Sequence, residues 1–304
     1  MTRAVFLGSP AAAVPSLRAL TGVAEVTSVV TNPDRPRGRS GTPQPTPVKD
    51  AAAELGIAVE QPASHLELLS ALIGSGAEVG VVVAYGRIIR PEALRVPAHG
   101  FVNVHFSLLP RWRGASPVVR SILAGDDETG VTIMQLDEGM DTGPILAMER
   151  TTIGPSETAG ELTHRLARIG ADLLADTLPR YVAGDVEPRP QPDDGATAAG
   201  KVTVDEAHLS PLHGPDAVLR AVRAFAPRPG AWTEVEGERF KIWSAVPTDD
   251  DAEPGRITER DGRVLLGLRR GSVELLEVQP PGKPRMDAGA WMNGRRGEPA
   301  EWGA

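Results

Sequence analysis

The chain has 304 residues, with 32 Lys and Arg against 40 Asp and Glu, a formal net charge of −8 and no cysteine. At roughly 150 residues per domain this is about two domains, which excludes a small disulfide-stapled scaffold. The missing cysteine excludes a thiolate nucleophile, a Cys-ligated zinc and an iron–sulfur cluster, and the negative balance argues against an indiscriminate polyanion binder or a polybasic membrane anchor.

The opening stretch MTRAVFLGSPAAAVP has one basic residue, Arg3, and a short apolar run ending at Gly8, which reads as a buried strand and turn rather than a secretion signal. No apolar run approaches the roughly 18 residues of a membrane span, so the expected setting is cytoplasmic and no membrane partner is expected. Apolar runs then alternate with helix-like stretches: AVFLG, AVPSLRALTG, VTSVVTN, VKDAAAELGIAVE, VGVVVAYG and FVNVHFSLLP. Such alternation predicts a doubly wound α/β domain with a largely parallel sheet. Val79–Ala84 is apolar at consecutive positions, as in a central strand covered on both faces. Between the second strand and the next helix, NPDRPRGRSGTPQPTPVKD is too rich in proline and glycine for a helix or a central strand and reads as a long basic loop.

From Thr158 to Val182, Leu162, Leu166, Ile169, Leu173 and Leu174 recur at helical spacing, with Thr158 as cap and Glu161 three residues on. EPRPQPDDGATAAG, residues 187–200, lacks periodicity and reads as an interdomain linker. The pattern changes from 208: a helix over PDAVLRAVRAF, then short runs AWTEVE, RFKIWSAV, GRITER, RVLLGL and VELLEVQP, spaced as in a small, OB-like β-barrel. TDDDAEPG reads as a solvated turn. The predicted organisation is a catalytic domain over 1–190, a linker over 191–207 and a barrel domain over 208–304. About 14 basic and 15 acidic residues lie from 208 onward, so the excess negative charge belongs to the first domain.

In FVNVHFSLLPRWRGASPV, Asn103 and His105 stand two apart on a predicted strand, so both side chains leave the same face. Arg111, Trp112 and Arg113 follow the turn at Pro110, where open α/β sheets place ligands beyond the carboxyl ends of their strands. A second stretch, GVTIMQLDEGMDTGP, is a strand followed by a loop with Asp137, Glu138, Gly139, Asp141 and Gly143. Three acids so close suggest a cation loop, but the EF-hand spacing and its closing Glu are missing, so no metal is expected. Gly8-Ser9-Pro10 occupies the place of a dinucleotide fingerprint, yet the next glycine is Gly22, which disfavours an NAD enzyme and a Walker loop. Ser107 has no G-x-S-x-G elbow, which disfavours a serine hydrolase.

NVHFSLLPRWRGASP, the later GVTIMQLDEGMDTGP and the preceding VVVAYGRIIRP closely resemble the folate-dependent formyltransferases, and the resemblance covers essentially the whole chain. The NPDRPRGR loop, the SLLPRWRGA run, the RAFAPRPGAW segment and the β-rich C-terminal region resemble the branch that acts on a tRNA rather than on a small amine. The resemblance implies transfer of the formyl group of 10-formyltetrahydrofolate, a co-substrate, to the amino group of methionine on initiator methionyl-tRNA, by a monomer. It further implies that Asn103 donates to the formyl oxygen, that His105 adds a hydrogen bond or cationic stabilisation, and that Asp141 orients His105 and relays a proton. Folate would lie along Tyr85, Gly86 and Ile88, the Ser107, Leu108, Leu109 and Pro110 turn, and Asp137 and Gly139. By their residue types alone, Ile88, Val131 and Ile133 read as core. The tRNA would be met by Arg35, Arg37, Arg39, Arg111, Arg113 and Arg228. The chain departs from the family where GRSGTPQ stands in place of a Gly-Arg-Gly followed by two lysines, at Phe106 and Ser116, and at Ala226-Pro227-Arg228-Pro229-Gly230, where Asn-Pro-Trp-Pro-Gly is common. Other readings are a formyltransferase for a small amine and a non-catalytic RNA-binding module, separated from the first by acceptor assays and folate binding.

Overall fold

A computed structural model describes residues 1–36 and 41–303. The chain divides into two compact units, one of Met1–Pro117, Glu128–Thr152 and Thr163–Gly200, the other of Val118–Asp127, Ile153–Leu162 and Lys201–Ala304.

The first unit is built on seven strands: β1 (Arg3–Gly8), β2 (Glu25–Val30), β3 (Val59–Glu60), β4 (Val79–Val83), β5 (Phe101–His105), β6 (Glu128–Gln135) and β7 (Ile145–Thr152). Their order across the sheet is β7-β6-β5-β4-β1-β2-β3. The pairs from β3 to β5 are parallel, whereas β5 with β6 and β6 with β7 are antiparallel. This is the doubly wound arrangement, with the strand order reversing between β1 and β4. The all-apolar run over 79–83 is the fourth of the seven strands and buried at every position, as a strand covered on both faces must be.

Polar side chains join the carboxyl ends of the inner strands. Asn32, after β2, donates from its amide to Ser9 Oγ at 2.8 Å and to the carbonyl of Tyr85 at 2.8 Å, so the ends of β1, β2 and β4 share one side chain. Lys49 Nζ donates to Asp34 at 2.6 Å and to Gln61 at 2.8 Å, closing the foot of the proline-rich loop. The ammonium of Lys49 holds the Asp34 carboxyl below its ordinary value.

The helix expected from Thr158 runs over Ala159–Val182. It opens with a capping box: Glu161 accepts from the backbone N–H of Thr158 at 2.9 Å while Thr158 Oγ1 accepts from that of Glu161 at 3.3 Å. Leu162, Leu166 and Leu174 are fully buried, each side chain of this kind contributing about 1.5–3 kcal/mol on burial.

The second unit carries β8 (Ala231–Val235), β9 (Glu238–Pro247), β10 (Arg256–Arg260), β11 (Arg263–Gly267), β12 (Ser272–Gln279) and β13 (Ala300–Glu301). They run antiparallel in the order β8-β9-β12-β11-β10-β13. The two edges meet: Val235 bridges Trp302, and Gly303 donates its N–H to the carbonyl of Glu234 at 2.8 Å. The sheet is therefore a closed barrel, which removes its free edges. Val218, Val222 and Phe225 of the helix Pro215–Ala224 and its end pack against Phe240, Ile242, Val264, Leu275 and Trp302. Five of the seven strands of this sheet coincide with the alternating runs; two-residue β13 and the two-residue strand Met286–Asp287, which pairs with β12, have no periodicity to announce them. The acidic stretch after β9 is more than a solvated turn, because Asp250 pairs with Arg263 and its carbonyl accepts from Ser272 Oγ.

Candidate active site

Strand β5 lies between β4 and β6 and is buried at all five positions. Asn103 and His105, at alternate positions, are only 9% and 5% exposed. The Asn103 carboxamide makes no hydrogen bond among the described residues and is not one of the fully enclosed unpartnered groups, so it keeps access to solvent. A nearly buried amide left without a partner is a donor held ready for something else.

His105 Nε2 lies 2.9 Å from the carbonyl oxygen of Trp112. A carbonyl only accepts, so Nε2 carries the hydrogen. The other nitrogen, Nδ1, faces Asp141 Oδ2 at 3.7 Å, and Oδ2 accepts from the backbone N–H of Gly114 at 2.7 Å. Trp112, Gly114 and Asp141 all have positive φ, at 65°, 121° and 53°. For Trp112 and Asp141 this is a strained conformation, of order 1–3 kcal/mol each, that persists only where surrounding contacts enforce it. Gly114 must be glycine on two grounds, since a Cβ there would also approach the carbonyl oxygen of Ala199 to 2.7 Å.

The turn after β5 is fastened to β6. Thr132 Oγ1 donates to the carbonyl of Ser107 at 2.7 Å and accepts from the N–H of Leu109 at 3.2 Å. Ser107 Oγ donates to the carbonyl of Arg111 at 2.6 Å, and Leu109 packs with Met134 and Ile145. Leu108 and Pro110 are half-buried.

The three acids of the second loop have separate occupations. Asp137 accepts from the N–H of Gly139 at 3.0 Å and from Thr142 Oγ1 at 2.8 Å, Glu138 meets Arg95 at 3.3 Å, and Asp141 faces His105. No group of three or more His, Asp or Glu placed to hold a metal ion occurs among the described residues.

Residues 187–200, expected as a linker, run through the first unit and across this site. Ala198–Ala199 pairs in parallel with Arg113–Gly114, and Thr197 accepts from the backbone N–H groups of Trp112 and Arg113 at 2.9 and 2.8 Å. Gln191 Nε2 donates to the carbonyls of Asp141 and Gly143, both at 2.8 Å, and Gln191 Oε1 accepts from Arg113 Nε and Nη2 at 3.0 and 2.7 Å. Gln191, Thr197 and Thr132 were not legible as site residues, since each acts through a loop or a distant strand.

Of the residues expected along the folate, the Tyr85 ring is in the core with Leu7, Leu68 and Phe101, and burial pushes its phenol up. Gly86 turns the chain at φ 75°, and Ile88 beyond it is 87% exposed. Ile88 is thus not a core residue, whereas Val131 and Ile133 are fully buried. A cavity of about 290 Å³ opens beside this turn, lined by Ser9, Asn32, Arg35, Gln44, Gly86 and Arg87 among others. Arg35 starts a two-residue strand, Arg35–Pro36, that pairs with Pro43–Gln44; Arg37 and Arg39 lie outside the described residues. Arg111 stacks on the Trp112 ring at 4.4 Å, and Arg113 is turned to Gln191.

In the second unit Arg228 is exposed on the Ala226–Gly230 turn. Gly230, at φ 85°, lies so close to the Trp243 ring that a Cβ would come within 2.6 Å of it. Arg285 sits 3.5 Å over Trp243, Arg239 lies 3.8 Å over Trp232, and Lys241 Nζ is 5.2 Å from the Trp243 ring. Burial, together with the charges of Arg239 and Arg285, pushes the Lys241 ammonium down. Glu277, at 3.9 Å from Arg285, provides a loose counter-charge.

Residues 5–178 match the family model described as formyl transferase, and residues 201–296 match that described as formyl transferase, C-terminal domain. The chain belongs to the formyl transferase family. Among formyl transferase relatives it is 46% identical to the methionyl-tRNA formyltransferase of Halorhodospira halophila over 313 residues, covering 98% of each chain. It is also 46% identical to that of Clavibacter sepedonicus over 296 residues, covering 96% of this chain and 97% of the relative. The fold is similar to that of HypX from Aquifex aeolicus in its complex with tetrahydrofolic acid, with a TM-score of 0.67 and 17% identity over 95% of this chain. This chain spans 46% of the length of HypX. No helix among the described residues is long and apolar enough to cross a membrane.

Proposed function

We propose that this formyl transferase moves the formyl group of 10-formyltetrahydrofolate to the amino group of methionine on initiator methionyl-tRNA, acting as a cytoplasmic monomer. The carrying observation is the carboxamide of Asn103, nearly buried and without a hydrogen-bond partner among the described residues, two residues from a histidine that faces Asp141. Family membership and the name shared by the nearly full-length relatives support the substrates.

Formyl transfer to an amine develops negative charge on the formyl oxygen and requires one proton to leave the attacking nitrogen and another to reach the departing one. Asn103 Nδ2–H donates to that oxygen. His105 adds a hydrogen bond or cationic stabilisation, its ring held by Nε2 on Trp112 with Nδ1 facing Asp141. Asp141 orients the ring and relays the amine proton, directly or through water, to the departing nitrogen, so that one proton leaves and one arrives. The residues fit a folate: the Ser107–Pro110 turn is braced on β6, the backbone of Tyr85 and Gly86 and the loop at Asp137 and Gly139 offer polar groups, and exposed Ile88 offers an apolar cover. When bound, the folate supplies the formyl group.

For the tRNA, Arg35, Arg37, Arg39 and Arg111 serve the first unit and Arg228 the second. The cations around Trp232 and Trp243 support a phosphate-binding face on the barrel. Arg113 adds charge nearby while bound to Gln191. The test is formyl transfer to charged initiator tRNA, charged elongator tRNA and a small amine. The reading expects product with the first alone, and equal transfer to the small amine contradicts it.

A further inference from the structure

Asp141 is held at two points, and both lead to one short stretch of chain. Its carboxylate accepts from the N–H of Gly114. Its carbonyl accepts from Gln191, whose own oxygen accepts twice from the side chain of Arg113. Because Arg113 and Gly114 are adjacent, the hydrogen bonds close a ring: Asp141 carboxylate, Gly114, Arg113, Gln191, Asp141 carbonyl. The residue before, Trp112, supplies the carbonyl that holds His105. The group facing His105 and the group fixing its ring are therefore referenced to the same tripeptide.

A glutamine carboxamide offers two N–H donors and an oxygen with two lone pairs, and Gln191 uses all four. No other side chain of that length can replace it: glutamate cannot donate, and asparagine is one methylene short. The guanidinium on its oxygen polarises the amide and strengthens its donation. That donation falls on Asp141 and Gly143, in a loop whose left-handed Asp141 needs outside enforcement.

We propose that Gln191 is a positioning residue for Asp141, setting the carboxylate against His105 Nδ1 without touching either substrate. The inference rests on the proposed role of the Asn103, His105 and Asp141 group in formyl transfer. Its consequence is that the aperiodic segment 187–200 belongs to the working part of the site.

The test compares wild type with Gln191→Glu, which can still accept from Arg113 but cannot donate, and with Gln191→Ala. Both should lower kcat about 10- to 100-fold, with the KM for folate and for tRNA changing less than about threefold, since remote misplacement of a catalytic group acts on this scale. In an Asp141→Ala background, Gln191→Ala should have less than about a twofold further effect, because a residue acting only through Asp141 has nothing left to position. ¹⁵N NMR of His105 in the free protein gives a reading independent of any acceptor: Gln191→Glu should move the Nδ1 signal towards its position in Asp141→Ala. Unchanged kcat, a full additional loss in the Asp141→Ala background, or an unmoved Nδ1 signal overturns the proposal. Failure of wild type to formylate methionyl-tRNA overturns the substrate assignment instead, and the NMR comparison still decides the role of Gln191.

Discussion

His105 Nε2 lies 2.9 Å from the carbonyl oxygen of Trp112, a bond in which only the histidine can donate. The other ring nitrogen, Nδ1, faces Asp141 Oδ2 at 3.7 Å. Replacing His105 by glutamine keeps a donor near Trp112 but removes the nitrogen that faces Asp141. His105→Gln should lower kcat by about 10²–10⁴, the range of general acid–base catalysis. Single-turnover kinetics of the variant checks it.

Thr132 is fully buried and fastens the Ser107–Pro110 turn through two hydrogen bonds. Thr132→Val keeps the shape and leaves the Ser107 carbonyl and the Leu109 N–H without their partner. A loss of about 1–3 kcal/mol in unfolding free energy is expected, the scale for stranded buried polar groups, together with a raised KM for folate. Denaturant unfolding and steady-state kinetics read the two effects.

The cations over the barrel tryptophans give a prediction about salt. Arg239→Gln and Arg285→Gln should each raise the KM for methionyl-tRNA and reduce its log–log salt slope by about one, as expected for removal of one phosphate contact. The KM for folate should stay unchanged. A salt series with each variant measures both.

The capping box at Thr158 predicts a pH effect. The Glu161 carboxyl is held below its ordinary value, first by the backbone N–H of Thr158 and then by its hydroxyl. For a group whose folded value is lowered, the stabilisation is complete above the unfolded value and is lost as pH falls through the folded one. Glu161→Ala should thus destabilise at pH 7 by less than about 1 kcal/mol, as suits a solvent-screened group, with the gap narrowing below about pH 4. Thermal unfolding at the two pH values tests the sign.

What could be read in advance follows from how far each signal travels along the chain. The unbroken apolar run at Val79–Ala84 located the central strand, and the two-residue alternation of strands put Asn103 and His105 on one face, because both are local rules. Asp141 came only with the family resemblance, since a loop rather than a period brings it to His105. Gln191 lies 50 residues from Asp141 in a segment without periodicity, so its partners exist only once the sheet has folded. The barrel itself was legible from the spacing of its short runs, whereas the contacts that close it, of Val235 with Trp302 and of Glu234 with Gly303, were not.

The central claim is that Asn103 supplies the hydrogen bond to the formyl oxygen. Single-turnover formyl transfer from 10-formyltetrahydrofolate to initiator methionyl-tRNA by wild type and Asn103→Ala tests it most directly. The account predicts N-formylmethionyl-tRNA from wild type, and a rate lower by about 10²–10³ in the variant, as for loss of one oxyanion donor, with folate binding retained. Transfer by Asn103→Ala at the wild-type rate, or no formylated tRNA from wild type, would contradict it.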